Sequence, residues 1–137
     1  MKIKLDNGIK MPFKKHENDA GWDIYSPING VIPSKETGGR INLGVGIEIP
    51  KGYVGMVEAR SSQGMLGISS LGKVVDCGYT GNIHLTLQNA GTEDYHFNEG
   101  DRICQLVVHK IYEGTLVQVN NFEATERGSG AHGSTGK

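Results

Sequence analysis

Lys73-Val-Val-Asp-Cys-Gly-Tyr-Thr-Gly-Asn-Ile-His-Leu-Thr-Leu-Gln-Asn89 is the stretch on which the reading of this chain turns. Val74 and Val75 open it, and Ile83, Leu85 and Leu87 alternate with polar residues at its end. Such alternation marks a strand with one buried face. Two β-favouring runs flanking a short segment with Gly78 and Gly81 predict a β-hairpin. Glycine there allows backbone turns and close approaches that a Cβ forbids. One carboxylate, Asp76, and one aromatic ring, Tyr79, stand at the mouth of the turn. Free main-chain donors and acceptors, an acid/base group and a flat apolar face suit recognition of a small planar ligand. A glycine-rich hairpin with an Asp and a Tyr is by itself more often only a turn, so the rest of the chain decides.

Working outward, strand signals recur at short intervals. They fall at Asp23–Tyr25, Val45–Ile49, Tyr53–Arg60, Val74–Asp76, Ile83–Asn89 and Arg102–Ile111, with a weaker one at Thr115–Val119. Turn clusters separate them, among them Ile28-Asn29-Gly30, Gly38-Gly39 and Pro50-Lys51-Gly52. Many short strands at such spacing predict an all-β barrel or sandwich. A helical turn is expected only near Ser62–Leu66. The 21 glycines are about twice the usual share, which fits a chain of turns and close backbone approaches.

A length of 137 residues suits one domain able to bury a core without staples. No apolar run approaches the ~20 residues of a membrane span, and the first residues form no apolar signal region. The expected location is inside a cell, in the cytoplasm. Cys77 and Cys104 make no spacing pattern and read as free thiols. A net charge of −1 gives no footprint for a polynucleotide or a membrane surface. A small nucleotide stays open. None of the five histidines stands at metal-ligand spacing from another.

Several segments carry chemistry. Arg60-Ser61-Ser62-Gln63-Gly64 follows a strand; Arg grips phosphate in bidentate fashion and the hydroxyls add donors. Alternatively it is a surface Arg beside a serine cap. Asp19-Ala20-Gly21-Trp22-Asp23-Ile24-Tyr25 and Gly100-Asp101-Arg102-Ile103-Cys104-Gln105-Leu106 each enter a strand with charges that could equally be solvated. The last eleven residues, Arg127 to Lys137, hold glycines, hydroxyls and no large apolar side chain. They read as a mobile tail, or as a wrapper for phosphate oxygens. Gly128-x-Gly130-x-x-Gly133 matches the dinucleotide fingerprint in letters only, because no strand–turn–helix unit surrounds it.

Taken in order, Ala20-Gly-x-Asp-Ile, Arg60-Ser-Ser, Val75-Asp-x-x-Tyr-x-Gly, Gly100-x-Arg-x-x-Gln-Leu and Arg127-Gly-x-Gly-x-x-Gly-Ser-Thr-Gly resemble the five motifs of the trimeric dUTPases. The resemblance runs from about residue 19 to the C-terminus. It implies a distorted jelly-roll barrel over residues 1–126 and an arm, 127–137, that closes over the site. It implies a homotrimer whose sites draw on several subunits, and hydrolysis of dUTP to dUMP and pyrophosphate with Mg²⁺. Asp76 then resembles the base that orients the attacking water on the α-phosphate. Tyr79 resembles the ring that packs on the deoxyribose and leaves no room for a 2′-hydroxyl. The backbone around Val74, Ile83 and His84 would read the uracil edge. Arg60, Ser61, Ser62 and Gln63 would hold phosphates with Gln105 nearby. Arg127, His132, Gly133, Ser134 and Thr135 would close over the nucleotide. Mg²⁺ would sit on phosphates and waters with no direct protein ligand, Asp23 being structural or reaching the ion through water.

Two departures stand out. His132 occupies the place of the family's usual lid aromatic and can titrate near neutral pH. Lys73 stands where many members carry a small residue, either adding charge near the site or pointing to solvent. Two rival readings share the fold. A dCTP deaminase would carry a glutamate where this chain has Thr86, and a catalytically silent binding or signalling homologue would be expected to lose Asp76, Tyr79 or Arg127.

Overall fold

Alternation along residues 83–89 holds in three dimensions. Ile83, Leu85, Leu87 and Asn89 are buried, while His84, Thr86 and Gln88 face outward to differing degrees. The structure is a computed structural model and describes residues 1–129. Its elements are β1 (Ile3–Leu5), β2 (Gly21–Tyr25), β3 (Gly30–Ile32), β4 (Ile41–Asn42), β5 (Val45–Ile47), β6 (Tyr53–Glu58), α1 (Ser61–Met65), β7 (Ile68–Leu71), β8 (Val74–Val75), β9 (His84–Asn89), β10 (Tyr95–Phe97) and β11 (Arg102–Lys110). All pairings among the described strands are antiparallel. The all-β barrel expectation is met.

One sheet runs in the order β2-β11-β6-β8 and another in the order β4-β9-β7. Two strand pairs, β1-β5 and β3-β10, complete the described sheet structure. Their inward faces share one core. Ile24, Leu43, Val45, Leu85, Leu87, Ile103 and Leu106 are almost wholly buried in it. Each such side chain contributes on the order of 2 kcal/mol by leaving water. No helix among the described residues is long and apolar enough to cross a membrane.

The hairpin expected at 73–89 requires correction. Its arms do not pair with each other. Val74 and Val75 pair with Met56 and Gly55 of β6, whereas β9 pairs with β4 and β7. Residues 76–83 therefore bridge two sheets. The physical reason is competition for partners: β6 and β7 lie closer to hand than the opposite arm, and Ile83 bonds its own N–H to Val45 O at 2.7 Å. Gly78, at φ +87°, supplies the left-handed turn within the bridge.

The weak strand expected at Thr115–Val119 is not formed. Residues 111–129 carry no regular structure, and Leu116 is 97% exposed. High local β propensity does not make a strand without a neighbouring edge to pair with. The last strand, β11, ends at Lys110.

Candidate functional site

Val75 ends β8 with its side chain in the core, so the next residue, Asp76, is carried to the surface. Its carboxylate is exposed and makes no hydrogen bond or ion pair with another described residue. Tyr79 N–H donates to Asp76 O at 3.2 Å, which folds the chain back. Tyr79 Oη donates to Asn82 O at 2.8 Å, and Asn82 Nδ2 donates to Asp6 Oδ2 at 2.7 Å. The ring lies over Gly81, where a Cβ would stand 2.6 Å from Tyr79 Oη. The bridge is thus fastened to the N-terminal strand region and holds its aromatic ring flat.

Beneath this loop lies a cavity of about 290 Å³. His84 and Thr86 of β9 form one wall. Leu71 and Gly72, at the end of β7, form another, and Arg40, just before β4, stands opposite. Val74, Val75, Asp76, Tyr79 and Ile83 complete it. Five residues expected at the site are therefore brought together here, namely Val74, Asp76, Tyr79, Ile83 and His84. The volume and the mix of one carboxylate, one guanidinium, a phenol ring, an imidazole and apolar walls suit a small polar ring system.

Reading a base through the main chain of Ile83 needs correction. Ile83 N–H is donated to Val45 O, and Ile83 O accepts from Leu43 N at 3.0 Å. Val74 and His84 stand in sheet register with Met56 and Asn42. β8 is the edge of its sheet, so the side of its main chain turned away from β6 is off the ladders, as are main-chain groups of the bridge.

A second group forms elsewhere. Asp23 Oδ1 accepts from Arg60 Nε at 2.9 Å, and Asp23 Oδ2 accepts from Arg102 Nη1 at 3.0 Å. Both carboxylate oxygens are engaged by guanidinium groups, which argues for the structural role of Asp23. Arg60 keeps its terminal nitrogens for another acceptor. Ser61 and Ser62 are exposed, with hydroxyls that bond to no described residue. Ala59 is held from two sides, its N–H by Ser70 Oγ at 3.1 Å and its carbonyl by Gln105 Nε2 at 3.3 Å. That clamp fixes the direction in which Arg60 leaves β6.

Gln63 does not belong among the phosphate holders. It is 3% exposed. Its Oε1 accepts from Arg60 N–H at 2.7 Å, and its Nε2 donates to Tyr95 Oη and Ile103 O. With both ends of its amide occupied, it serves the turn and not a ligand. Lys73 neither points freely to solvent nor reaches the cavity, because its Nζ pairs with Glu58 at 2.8 Å. Cys77 is exposed and Cys104 buried, with no disulfide. Burial, and secondarily the charge of Asp23, pushes the Cys104 thiol far up, so it stays protonated and inert.

The two groups stand apart along β6. Val75 faces Gly55 across β6–β8, and Arg60 lies five residues beyond Gly55. An extended run of that length spans roughly 17 Å, more than an arginine side chain can close. Arg127 is exposed; His132, Gly133, Ser134 and Thr135 lie outside the described residues. No group of three or more His, Cys, Asp and Glu converges among the described residues. Arg40, Leu71 and Gly72 were missed from sequence. Arg40 follows Gly38-Gly39 and is indistinguishable there from a loop arginine, until its strand is paired.

Comparison with known proteins is consistent across the whole chain. A sequence model of the family described as dUTPase matches residues 7–136. The deoxyuridine 5'-triphosphate nucleotidohydrolase of Kluyveromyces lactis is 37% identical over 140 residues, covering 100% of this chain and 94% of that protein. That of Mycobacterium marinum is 37% identical over 143 residues, covering 98% and 92%. Among solved structures, the Staphylococcus bacteriophage 80alpha dUTPase with dUpNHpp superimposes with a TM-score of 0.90 at 29% identity, covering 99% of this chain and 98% of that one. A point mutant of the dUTPase from phage phi11 of S. aureus, described as coordinating a structural Mg(II) ion, does so with a TM-score of 0.79 at 28% identity, covering 90% and 98%.

Proposed function

The chain belongs to the dUTPase family and is a dUTP diphosphatase, and from that premise we propose how its residues divide the work. The observation that carries the reading is the cavity beneath residues 76–83, which gathers a carboxylate that bonds to no other described residue and an aromatic ring. In it the deoxyribose packs on Tyr79, whose ring, held over Gly81, leaves no room for a 2′-hydroxyl. Asp76 accepts a proton from a water molecule as that water's oxygen attacks the α-phosphorus. The bond from the α-phosphorus to its bridging oxygen breaks, and pyrophosphate leaves with that oxygen. The products are dUMP and pyrophosphate. Most of the acceleration comes from holding the phosphates in line and balancing their charge.

The spacing between Asp76 and Arg60 supports a site completed by a second copy of the chain, in a homotrimer. Arg60, Ser61 and Ser62 of one copy, with Gln105 nearby, would meet the phosphates of a nucleotide seated in the cavity of the next. Asp23 holds Arg60 rigid for that task through its carboxylate. Arg127, His132, Gly133, Ser134 and Thr135 would close over the triphosphate from the C-terminal arm. A carboxylate already held by two arginines is a poor metal ligand, and Asp76 alone is no cage; the donor set fits Mg²⁺ arriving with the triphosphate, within reach of Asp76. Bound there, the ion would neutralise phosphate charge and leave the leaving group more stable.

Pyrophosphate release with Mg²⁺, compared across dUTP, dCTP, dTTP and UTP, tests the reading. Turnover restricted to dUTP is the expected result, and equal turnover of all four would discard the slot. Asp76→Asn keeps the side chain's shape and removes the base. It should lose about a hundredfold to ten-thousandfold in kcat while still binding dUpNHpp in calorimetry. A near-normal kcat would remove Asp76 from the reaction.

A further inference from the structure

Nothing in the described fold uses Arg40. It is exposed, it belongs to no strand, and its guanidinium makes no hydrogen bond or ion pair with another described residue. Yet it lines the cavity that holds Asp76 and Tyr79. A long charged side chain at the edge of a cavity, with no partner among the described residues, either serves solvent or serves the occupant.

The sheet register says which end of the slot it guards. Ile41, the residue after Arg40, pairs with Leu85, and Leu71 pairs with Thr86 from the other side of β9. Arg40 and Leu71 therefore flank Thr86. Asp76 and Tyr79 belong to the bridge that enters β9 from the opposite end, before His84. From His84 to Thr86 is one side-chain repeat of a strand, roughly 7 Å. The cavity thus has a polarity, with the carboxylate at one end and the guanidinium at the other. A nucleotide that brings its α-phosphate to Asp76 and its sugar to Tyr79 sends its base toward Thr86 and Arg40.

We propose that Arg40 is a base-reading residue, donating to the C4 carbonyl oxygen of uracil at the Thr86 end of the cavity and so selecting uracil over cytosine nucleotides. The inference rests on the dUTPase reading above. The chemistry follows from what a guanidinium can do: it offers only donors and accepts nothing. Uracil presents an acceptor at C4, and cytosine presents an amine there. An amine facing a guanidinium leaves two donors opposed, so a cytosine nucleotide loses the bond that a uracil nucleotide makes. Thymine carries the same C4 carbonyl as uracil, so Arg40 plays no part in rejecting it. That asymmetry separates base reading from a general electrostatic pull on phosphates, which would act on all three nucleotides alike.

The test is calorimetric binding of dUMP, dTMP and dCMP to the full-length chain and to Arg40→Met and Arg40→Lys, with dUTP turnover measured alongside. Arg40→Met should weaken dUMP and dTMP by about tenfold and leave dCMP little changed, so that the dUMP to dCMP ratio narrows while the dUMP to dTMP ratio holds. Arg40→Lys, still a donor without acceptors, should keep most of the selectivity. Equal loss for all three nucleotides would make Arg40 a phosphate residue and overturn the proposal. So would unchanged ratios in Arg40→Met, or failure of the wild-type chain to bind any of the three. A wild-type chain that does not turn over dUTP would remove the hydrolase reading instead, and the binding ratios would still decide the role of Arg40. Arg40 makes no bond to another described residue, so loss of the fold is not expected, and a thermal melt of each variant checks this.

Discussion

Gln63 carries more of the fold's stability than its place in a phosphate-like motif implies. Three hydrogen bonds tie it to Arg60 N–H, Tyr95 Oη and Ile103 O, joining α1 to β10 and β11. Gln63→Leu would leave those three groups short of partners in the interior. A cost of about 2–4 kcal/mol is expected from stranded buried groups, read as a lower urea midpoint. Turnover per folded molecule should change only a few-fold, because the residue does not face the ligand. A large loss of turnover at unchanged stability would return Gln63 to the site. Sequence could not assign this residue, since a glutamine after Arg-Ser-Ser offers the same donors to a phosphate or to a carbonyl. Only the positions of Tyr95 and Ile103, distant in the chain, settle it. That Asp76 and Tyr79 share one cavity was legible for the opposite reason: both sit in one short local segment.

At the scale of elements, the bridge of residues 76–83 is the part that function depends on most. Its ring is seated by the absence of a side chain at Gly81, where a Cβ would meet Tyr79 Oη at 2.6 Å and Cζ at 2.8 Å. Gly81→Ala should push the ring aside and break its bond to Asn82 O. We expect kcat/KM for dUTP to fall by about tenfold, mainly through KM, with the melting temperature nearly unchanged because the ring is partly exposed and free to move. Unaltered kinetics would mean the ring is not what seats the sugar. The longer strands were readable from alternation, and β6, β9 and β11 lie close to their expected bounds. Strands of two to four residues, such as β1, β4 and β7, were not read. They contain too few residues to display a period, and they become strands because a neighbour supplies an edge. The same limit explains the hairpin. Propensity marks a segment as extended but does not choose its partner.

Across the whole molecule, the last strand ends at Lys110 and the chain continues with Tyr112, Leu116, Val117 and Phe122 facing solvent. Apolar side chains in such density on a segment without regular structure call for a surface to cover. A second copy of the chain, in the proposed homotrimer, would supply it. Sedimentation velocity should therefore find a trimer for the full chain. A chain ending at Lys110 should form a smaller species with a retained β spectrum. A trimer that survives the truncation would put its contacts in the barrel itself.

The division of the cavity walls between two sheets has a consequence beyond chemistry. Val74 answers to β6 and His84 to β4, so whatever occupies the slot touches both sheets at once. The occupant acts as a cross-brace, and its binding energy adds to the resistance of the barrel against opening. Where nucleotide is scarce, the same polypeptide is the looser object and the easier prey for proteases. The amount of enzyme that survives would then follow the supply of its own substrate, with no regulator involved.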